Sequence, residues 1–299
     1  MKQQIKSSLI LLLTATIWGV AFVAQSVGME YIGPFTFNAI RCVLGGLVLI
    51  PVILVLKKKK ETGAENQEKE DKKTLWAGGI ACGVILCIAS NLQQFGIMEA
   101  SVGKSGFFTA LYIVMIPVIG IFIGKRPGIK LWFCVALAVV GMYLLCMKDG
   151  SFTIERADIM LLLCALAFSF HILVVDYFSP KVDGVKMSCI QFFICGVLSA
   201  VGMLFTETPD ISNIQAAWLP LLYAGLLSCG VGYTLQIVGQ KGINPVIASL
   251  IMSLESVISA LAGWVILGQV LSLKEIIGCV LMFVAIIITQ IPIGNKKTD

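Results

Sequence analysis

Apolar residues along this chain gather into long unbroken runs, parted by short polar or glycine-containing joints. Ten runs can be placed, at residues 8–27, 35–56, 75–97, 106–123, 129–147, 157–176, 187–205, 216–238, 246–267 and 273–291. An α-helix needs roughly 20 apolar residues to cross the hydrocarbon of a bilayer, and most of the runs approach that length. The pattern also repeats. Residues 103–130 (GKSGFFTALYIVMIPVIGIFIGKRPGIK) resemble residues 242–274 (GINPVIASLIMSLESVISALAGWVILGQVLSLK), with Ile116-Pro117-Val118 falling on Glu255-Ser256-Val257. After a five-residue gap in the first copy, Gly124-Lys125 falls on Gly268-Gln269 and Lys130 on Lys274, and upstream Arg41 falls on Gln191. Five runs in each copy is an odd number, so the second copy must cross in the opposite sense. The prediction is an all-α membrane protein of ten transmembrane helices, built as two inverted five-helix repeats at residues 1–147 and 148–299. Inverted repeats are a construction of secondary transporters, which hold their substrate near the midplane where the repeats meet.

Charge sets the orientation. With the N-terminus inside, 17 of the 22 Lys and Arg residues lie on the cytoplasmic side, against Lys104, Lys148, Arg156 and Lys274 opposite; Arg41 lies within a span. Positive residues accumulate on the cytoplasmic side of membrane helices, so both termini are predicted to be cytoplasmic. Residues 57–73, KKKKETGAENQEKEDKK, carry 7 positive and 5 negative charges and read as a solvated loop. The net charge of +5 reflects this topology and contact with anionic headgroups, and implies no nucleic-acid partner. The first run is not read as a cleaved leader, because the best cleavage point, after Ala24, has Phe22 where a small residue is required.

Composition supports lipid as the solvent: 58% of residues are hydrophobic and only 13% charged, far from the globular norm. Ten cysteines are scattered without a C-x-x-C, which reads as small apolar filler and not as a metal site. Gly103-Lys104-Ser105 resembles the end of a phosphate-binding loop, but the first glycine of that motif is replaced by Met98. No catalytic motif is present either, so no cofactor and no enzyme are expected. Small residues, among them Gly106 and Ala110 in the fourth run and Ser256 and Ser259 in the ninth, mark faces where helix backbones approach closely. Pro117 removes a backbone hydrogen bond within the fourth run and is a candidate kink or gating point.

Polar residues inside the runs are the candidates for function, because polar groups at membrane depth are costly unless they are paired or used. Glu255 is the acid nearest the middle of a span; it suits proton coupling or contact with a cationic group of the substrate, or else a structural carboxyl bonded to Ser253, Ser256 or a neighbouring helix. Arg41 could snorkel outward, hold a substrate carboxylate, or pair with a carboxylate of the protein. His171 lies deep in the sixth run and suits either a proton relay or a neutral helix contact. A looser set of Gln25, Asn38, Asn91, Gln93, Gln94, Tyr112, Gln191, Tyr233 and Gln236 could line a hydrated cavity or bond helix to helix. Trp18 with Gly19 is a candidate cavity wall.

These residues together resemble the EamA family of the drug/metabolite transporter superfamily. The resemblance rests on Trp18-Gly19, on Pro34 with Arg41, on the 101–109 segment SVGKSGFFT leading to Ile116-Pro117-Val118, and on Gln191, Glu255 and Gly268-Gln269. It covers nearly the whole chain as two successive family repeats. The chain departs from the family pattern at Glu255-Ser256, where Glu-Pro is common, and at Lys125 and Gln269, where an acidic residue is favoured. What the resemblance implies is a ten-helix carrier of a plasma (inner) membrane, in a bacterium, moving a small metabolite such as an amino acid, often outward. Its partners would be that substrate, the lipid bilayer, and protons or another coupling ion. An uncoupled channel-like or lipid-translocating protein is the alternative.

Overall fold

The computed structural model describes residues 2–62, 71–100, 102–125, 127–146, 155–267 and 272–291. Ser101, Arg126, Lys148, the Gly268-Gln269 pair and residues 63–70 of the charged loop lie outside these described residues. Within them the first half runs α1 (Lys2–Gly28), α2 (Pro34–Thr62), α3 (Lys72–Glu99), α4 (Val102–Ala110), α5 (Tyr112–Phe122) and α6 (Ile129–Cys146). The second half runs α7 (Arg156–Phe178), α8 (Gly184–Thr206), α9 (Ile211–Ala216), α10 (Trp218–Leu222), a π-helical segment (Tyr223–Tyr233), α11 (Thr234–Gln240), α12 (Pro245–Met252), α13 (Glu255–Leu267) and α14 (Leu273–Gln290).

Polar side chains start several of these helices by accepting from amide groups that have no partner inside the helix. Asp71 begins α3, accepting from Thr74 Oγ1 and Lys73 N, and those bonds hold its carboxyl below the usual aspartate range. Ser272 and Glu275 close a capping box on α14, through Ser272 N to Glu275 Oε2 (2.6 Å) and Glu275 N to Ser272 Oγ (3.3 Å). Asn244 Oδ1 accepts from Val246 N (2.9 Å) to begin α12, with Pro245 at its first position. One cap is long-range. Glu207, just after α8, reaches the start of α2, accepting from Phe35 N (2.9 Å), Thr36 N (2.8 Å) and Thr36 Oγ1 (2.6 Å). At the other kind of end, Gly124 closes α5 with a φ of 81°, a conformation open to glycine without strain.

Eight helical stretches among the described residues are long and apolar enough to cross a membrane, and Ile129–Leu144 adds a shorter apolar helix. Three of the eight are composite: Val102–Phe122 joins α4 and α5, Trp218–Gln240 joins α10, the π segment and α11, and Pro245–Ile266 joins α12 and α13. Polarity is distributed as lipid demands. Leu54, Val55, Ile88, Phe170 and Val197 are exposed, while Asn38, Gln94, Ser169, His171 and Gln191 are fully buried. A water-soluble protein would reverse that arrangement.

The most extensive packing joins α2 to α8, α3 to α7, α6 to α14 and α3 to α8. Next come α1 against α13 and α2 against the π segment. Glycine makes the closest of these approaches. A Cβ at Gly83 of α3 would stand 2.7 Å from Ile194 Cβ and 2.8 Å from Gln191 O of α8. A Cβ at Gly45 of α2 would stand 2.6 Å from Cys229 Cβ in the π segment. Gly106 sits against Ser256 and Ser259, and Ser256 Oγ donates to Gly106 O (3.0 Å), so the small-residue faces of α4 and α13 do meet.

The broken span Val102–Phe122 is interrupted at Leu111, between α4 and α5, while Pro117 is buried within α5. Across the interruption the hydrogen bonds tighten, Leu111 N reaching Phe108 O (3.2 Å) and Val114 N reaching Leu111 O (3.0 Å). The span Pro245–Ile266 is interrupted at Ser253 and Leu254, although Ser256 stands where the family pattern has proline.

The glycine contacts generate a paired expectation. Gly83→Ala forces apart the backbones of α3 and α8, and overpacking of that kind costs about 1–3 kcal/mol. Gly103→Ala is its control, because a Cβ there meets nothing within 4 Å. Thermal unfolding in detergent micelles should show a lowered melting temperature for the first and no loss for the second.

Candidate functional site

Where α1, α2, α3, α7 and the three composite spans converge, they surround a cavity of about 430 Å³, its mouth included. Its walls mix apolar and aromatic side chains, Trp18, Phe22, Phe168 and Ile172 among them, with polar ones such as Gln25, Gln93, Thr109 and Gln236. Among the described residues two formally charged side chains, Arg41 and Glu255, line it.

Glu255 stands in the first turn of α13, just past the interruption at Ser253 and Leu254, where the helix end is electropositive. It is 4% exposed, and Tyr112 Oη donates to its Oε1 at 3.0 Å. Tyr112 itself opens α5, just past the interruption at Leu111. The two broken spans therefore present their first residues after the break to each other, across the cavity wall. Ser253 and Ser256 do not hold the carboxylate: Ser253 Oγ donates to Leu250 O (2.8 Å) and Ser256 Oγ to Gly106 O.

Arg41 does not snorkel. It is 2% exposed, its Nη1 donates to Gln25 Oε1 (3.0 Å), and its guanidinium carbon lies 5.7 Å from the centre of the Phe37 ring. Tyr233 closes the π segment and is the hub of an aromatic wall. Its ring centre lies 4.6 Å from that of Trp18, 5.7 Å from Phe192 and 6.0 Å from His171. Trp18 Nε1 donates to Ser228 O (3.3 Å), which ties α1 to the π segment. Gln236, in α11, also lines the cavity, and its Oε1 is buried without a hydrogen-bond partner.

Trp18, Arg41, Tyr112, Tyr233, Gln236 and Glu255, all singled out from the sequence, thus share the cavity. Four others do not line it. His171 and Gln191 are fully buried and share a hydrogen bond of 3.1 Å between Nε2 and Oε1, joining α7 to α8. Asn91 donates to Ser199 Oγ (3.0 Å) and Cys87 O (2.8 Å) and accepts from Asn38 Nδ2 (2.9 Å), tying α3 to α8 and α2. Gln94 donates to Met29 Sδ at 3.5 Å. From the wider amide set, Gln25 and Gln93 do line the cavity.

The remaining wall residues, among them Ala21, Phe22, Thr109, Phe168, Ile172 and Ser228, carry no chemical signal in the sequence. Helical phase could have found several. Ala21, Phe22 and Gln25 follow Trp18 at the three-, four- and seven-residue spacings of one helix face, and Thr109 precedes Tyr112 by three.

Among the described residues the fold is all-helical, with a cavity enclosed by apolar spans, an arrangement that suits a membrane transporter. The model of the EamA-like transporter family matches residues 5–147 and again residues 155–291, and the chain belongs to that family. It is similar to an uncharacterized transporter of Archaeoglobus fulgidus, 27% identical over 282 residues, covering 94% of this chain and 84% of that protein. It is also similar to the uncharacterized transporter YwfM of Bacillus subtilis, 24% identical over 307 residues, covering 97% of this chain and 96% of that one. A solved crystal structure shares the fold with a TM-score of 0.76 at 18% identity, covering 95% of this chain and 96% of its own.

If the bond between His171 and Gln191 serves only to hold α7 to α8, a double-mutant cycle with His171→Phe and Gln191→Leu reads its worth. Inter-helix hydrogen bonds in membranes contribute about 0.6 kcal/mol on average and up to about 1.7. A coupling energy in that range, with transport retained in both single variants, is the expected outcome. Transport abolished by His171→Phe without coupling would make the histidine a relay.

Proposed function

We propose that this protein is a secondary transporter that exports a small metabolite, an amino acid or a similar compound, by alternating access through the central cavity. On this reading it resides in the plasma (inner) membrane of a bacterium, with both termini cytoplasmic and ten membrane helices. The observation that carries the proposal is the meeting of Glu255 and Tyr112 at the interruptions of two composite spans, one from each half, inside a cavity that also holds Arg41. Discontinuous helices around a midplane site are the means by which transporters present polar groups to a substrate.

The inter-helix packing favours two halves related by inversion, at residues 1–147 and 148–299. In it α3 lies on α7 and, with the halves exchanged, α1 lies on the π segment and α11; likewise α3 on α8 has its counterpart in α2 on the π segment. The pairs α2 with α8 and α6 with α14 each join equivalent members.

Glu255 is the proposed coupling residue, alternating between a proton and its other contacts. Trp18, Arg41, Tyr112, Tyr233 and Gln236 are proposed to contact the substrate. Asn91, Gln94, His171 and Gln191 join the site through the helices they hold together, and Pro117 through the half-helix α5. The cavity lining in α1, α2 and α3 comes from the halves nearest Gly28, Pro34 and Glu99, the ends assigned to the outer side. Toward the other side, Gln240 Nε2 donates to Ile172 O (3.2 Å) and Lys125 pairs with Asp176 (2.7 Å). These contacts suit a state closed toward the cytoplasm.

Proteoliposomes carrying wild type or Glu255→Gln, challenged with amino-acid pools, test the proposal. Saturable flux with accompanying proton movement, the latter reduced to background in Glu255→Gln, is expected. Flux without proton movement, unaltered by the substitution, would reject the coupling role. Flux that does not saturate would point to an uncoupled pore.

A further inference from the structure

Arg41 is a buried cation with too few partners. A guanidinium carries five N–H donors and cannot lose its charge. The bond to Gln25 uses Nη1, while Nε is buried and has no hydrogen-bond partner. Among the described residues Arg41 forms no ion pair. Glu255, the acid in the same cavity, is instead bonded to Tyr112. Desolvating a charge without a counter-ion is expensive, and at membrane depth lipid offers no relief. The hydrogen-bond partner of Arg41, Gln25, lines the same cavity.

We propose that Arg41 is the seat of an anionic group on the transported compound, and that this group is a carboxylate. The inference rests on the reading of this cavity as the transport site. A guanidinium matches the planar, two-oxygen geometry of a carboxylate with parallel hydrogen bonds. A phosphate would bring up to two negative charges to a lining with one cation and one acid. Trp18, Phe22, Phe168 and Ile172 supply the apolar part of the lining, which suits a compound that carries an apolar side group. The unpartnered Gln236 Oε1 and the Glu255 carboxyl offer acceptors for a donor group at its other end. Two kinds of compound carry this chemistry, α-amino acids and the corresponding 2-hydroxy acids.

The test uses the full chain in lipid nanodiscs and two series of probes, built on leucine and on phenylalanine. Each series holds the amino acid, its amide, which lacks the carboxylate, and its 2-hydroxy acid, which lacks the ammonium. Binding is read by calorimetric titration and by the shift in melting temperature. At least one acid should bind and its amide should not. Binding of the amino acid alone assigns zwitterionic cargo, and binding of both acids assigns carboxylates in general.

Arg41→Gln should weaken the acid by at least about 30-fold, the lower end of what truncating one partner of a buried charge pair costs. Arg41→Lys should recover part of that loss. Glu255→Gln, which removes coupling on the reading above, should leave the acid-versus-amide difference in place, so failure of coupling and failure of the seat are separately visible. Should Arg41→Gln not fold, the acid and amide comparison on wild type still decides. Amides that bind as tightly as the acids, acids that bind Arg41→Gln undiminished, or a panel in which no acid binds would each overturn the proposal.

Discussion

Backbone that leaves the α-helical pattern at membrane depth must have its N–H and C=O groups satisfied by something other than lipid, because hydrocarbon accepts no hydrogen bonds. Much of this structure follows from that constraint. The spans depart from α-helix at Leu111, at Ser253 and Leu254, and through the eleven residues of the π segment. Each departure borders the cavity: Thr109 and Tyr112 flank the first, Glu255 follows the second, and Ser228 and Tyr233 belong to the third. Irregular backbone is confined to the region where protein encloses it, and Thr109, Tyr112, Ser228, Tyr233 and Glu255 reach the cavity from those same places.

The same scarcity of partners sorts the polar side chains into two groups. Asn38 with Asn91, Asn91 with Ser199, and His171 with Gln191 are joined helix to helix, which commits their hydrogen bonds to holding α2, α3, α7 and α8 together. Arg41, Gln236 and Glu255 line the cavity instead, with Arg41 Nε and Gln236 Oε1 left without hydrogen-bond partners. Close approach of the backbones makes the first group effective. Gly83 admits α8 to within contact of α3, and Gly45 admits the π segment to α2.

How much of the site was legible depended on how unusual a residue is in lipid. Glu255 and Arg41 stand out in any apolar run, because a charge there is too expensive to be incidental. Tyr112, Tyr233 and Gln236 stood out less, and yet line the cavity beside them. Asn91, Gln93 and Gln94 show the limit. All three are amides within four residues of α3, but only Gln93 lines the cavity. Which one does so is a matter of the rotation of α3 about its own axis, and that rotation is set by α7 and α8, which lie far along the chain.

By itself the sequence determined the helices, their caps and the apolar character of their outer faces. These depend on neighbouring residues: on runs of hydrophobic side chains, and on Asp71, Asn244 or Ser272 meeting amides two or three positions ahead. The weak likeness of the two halves was also legible, as a family pattern matched twice. Tertiary structure alone decided where the helices break, that Pro117 lies inside α5 and not at its interruption, and that Ser228 and Tyr233, five residues apart, share a wall through π-helical bonding. It also decided that Tyr112 meets Glu255 across 143 residues of sequence and that Arg41 Nε is buried without a hydrogen-bond partner among the described residues. Such facts belong to distances between side chains on different helices, and packing in three dimensions sets those distances.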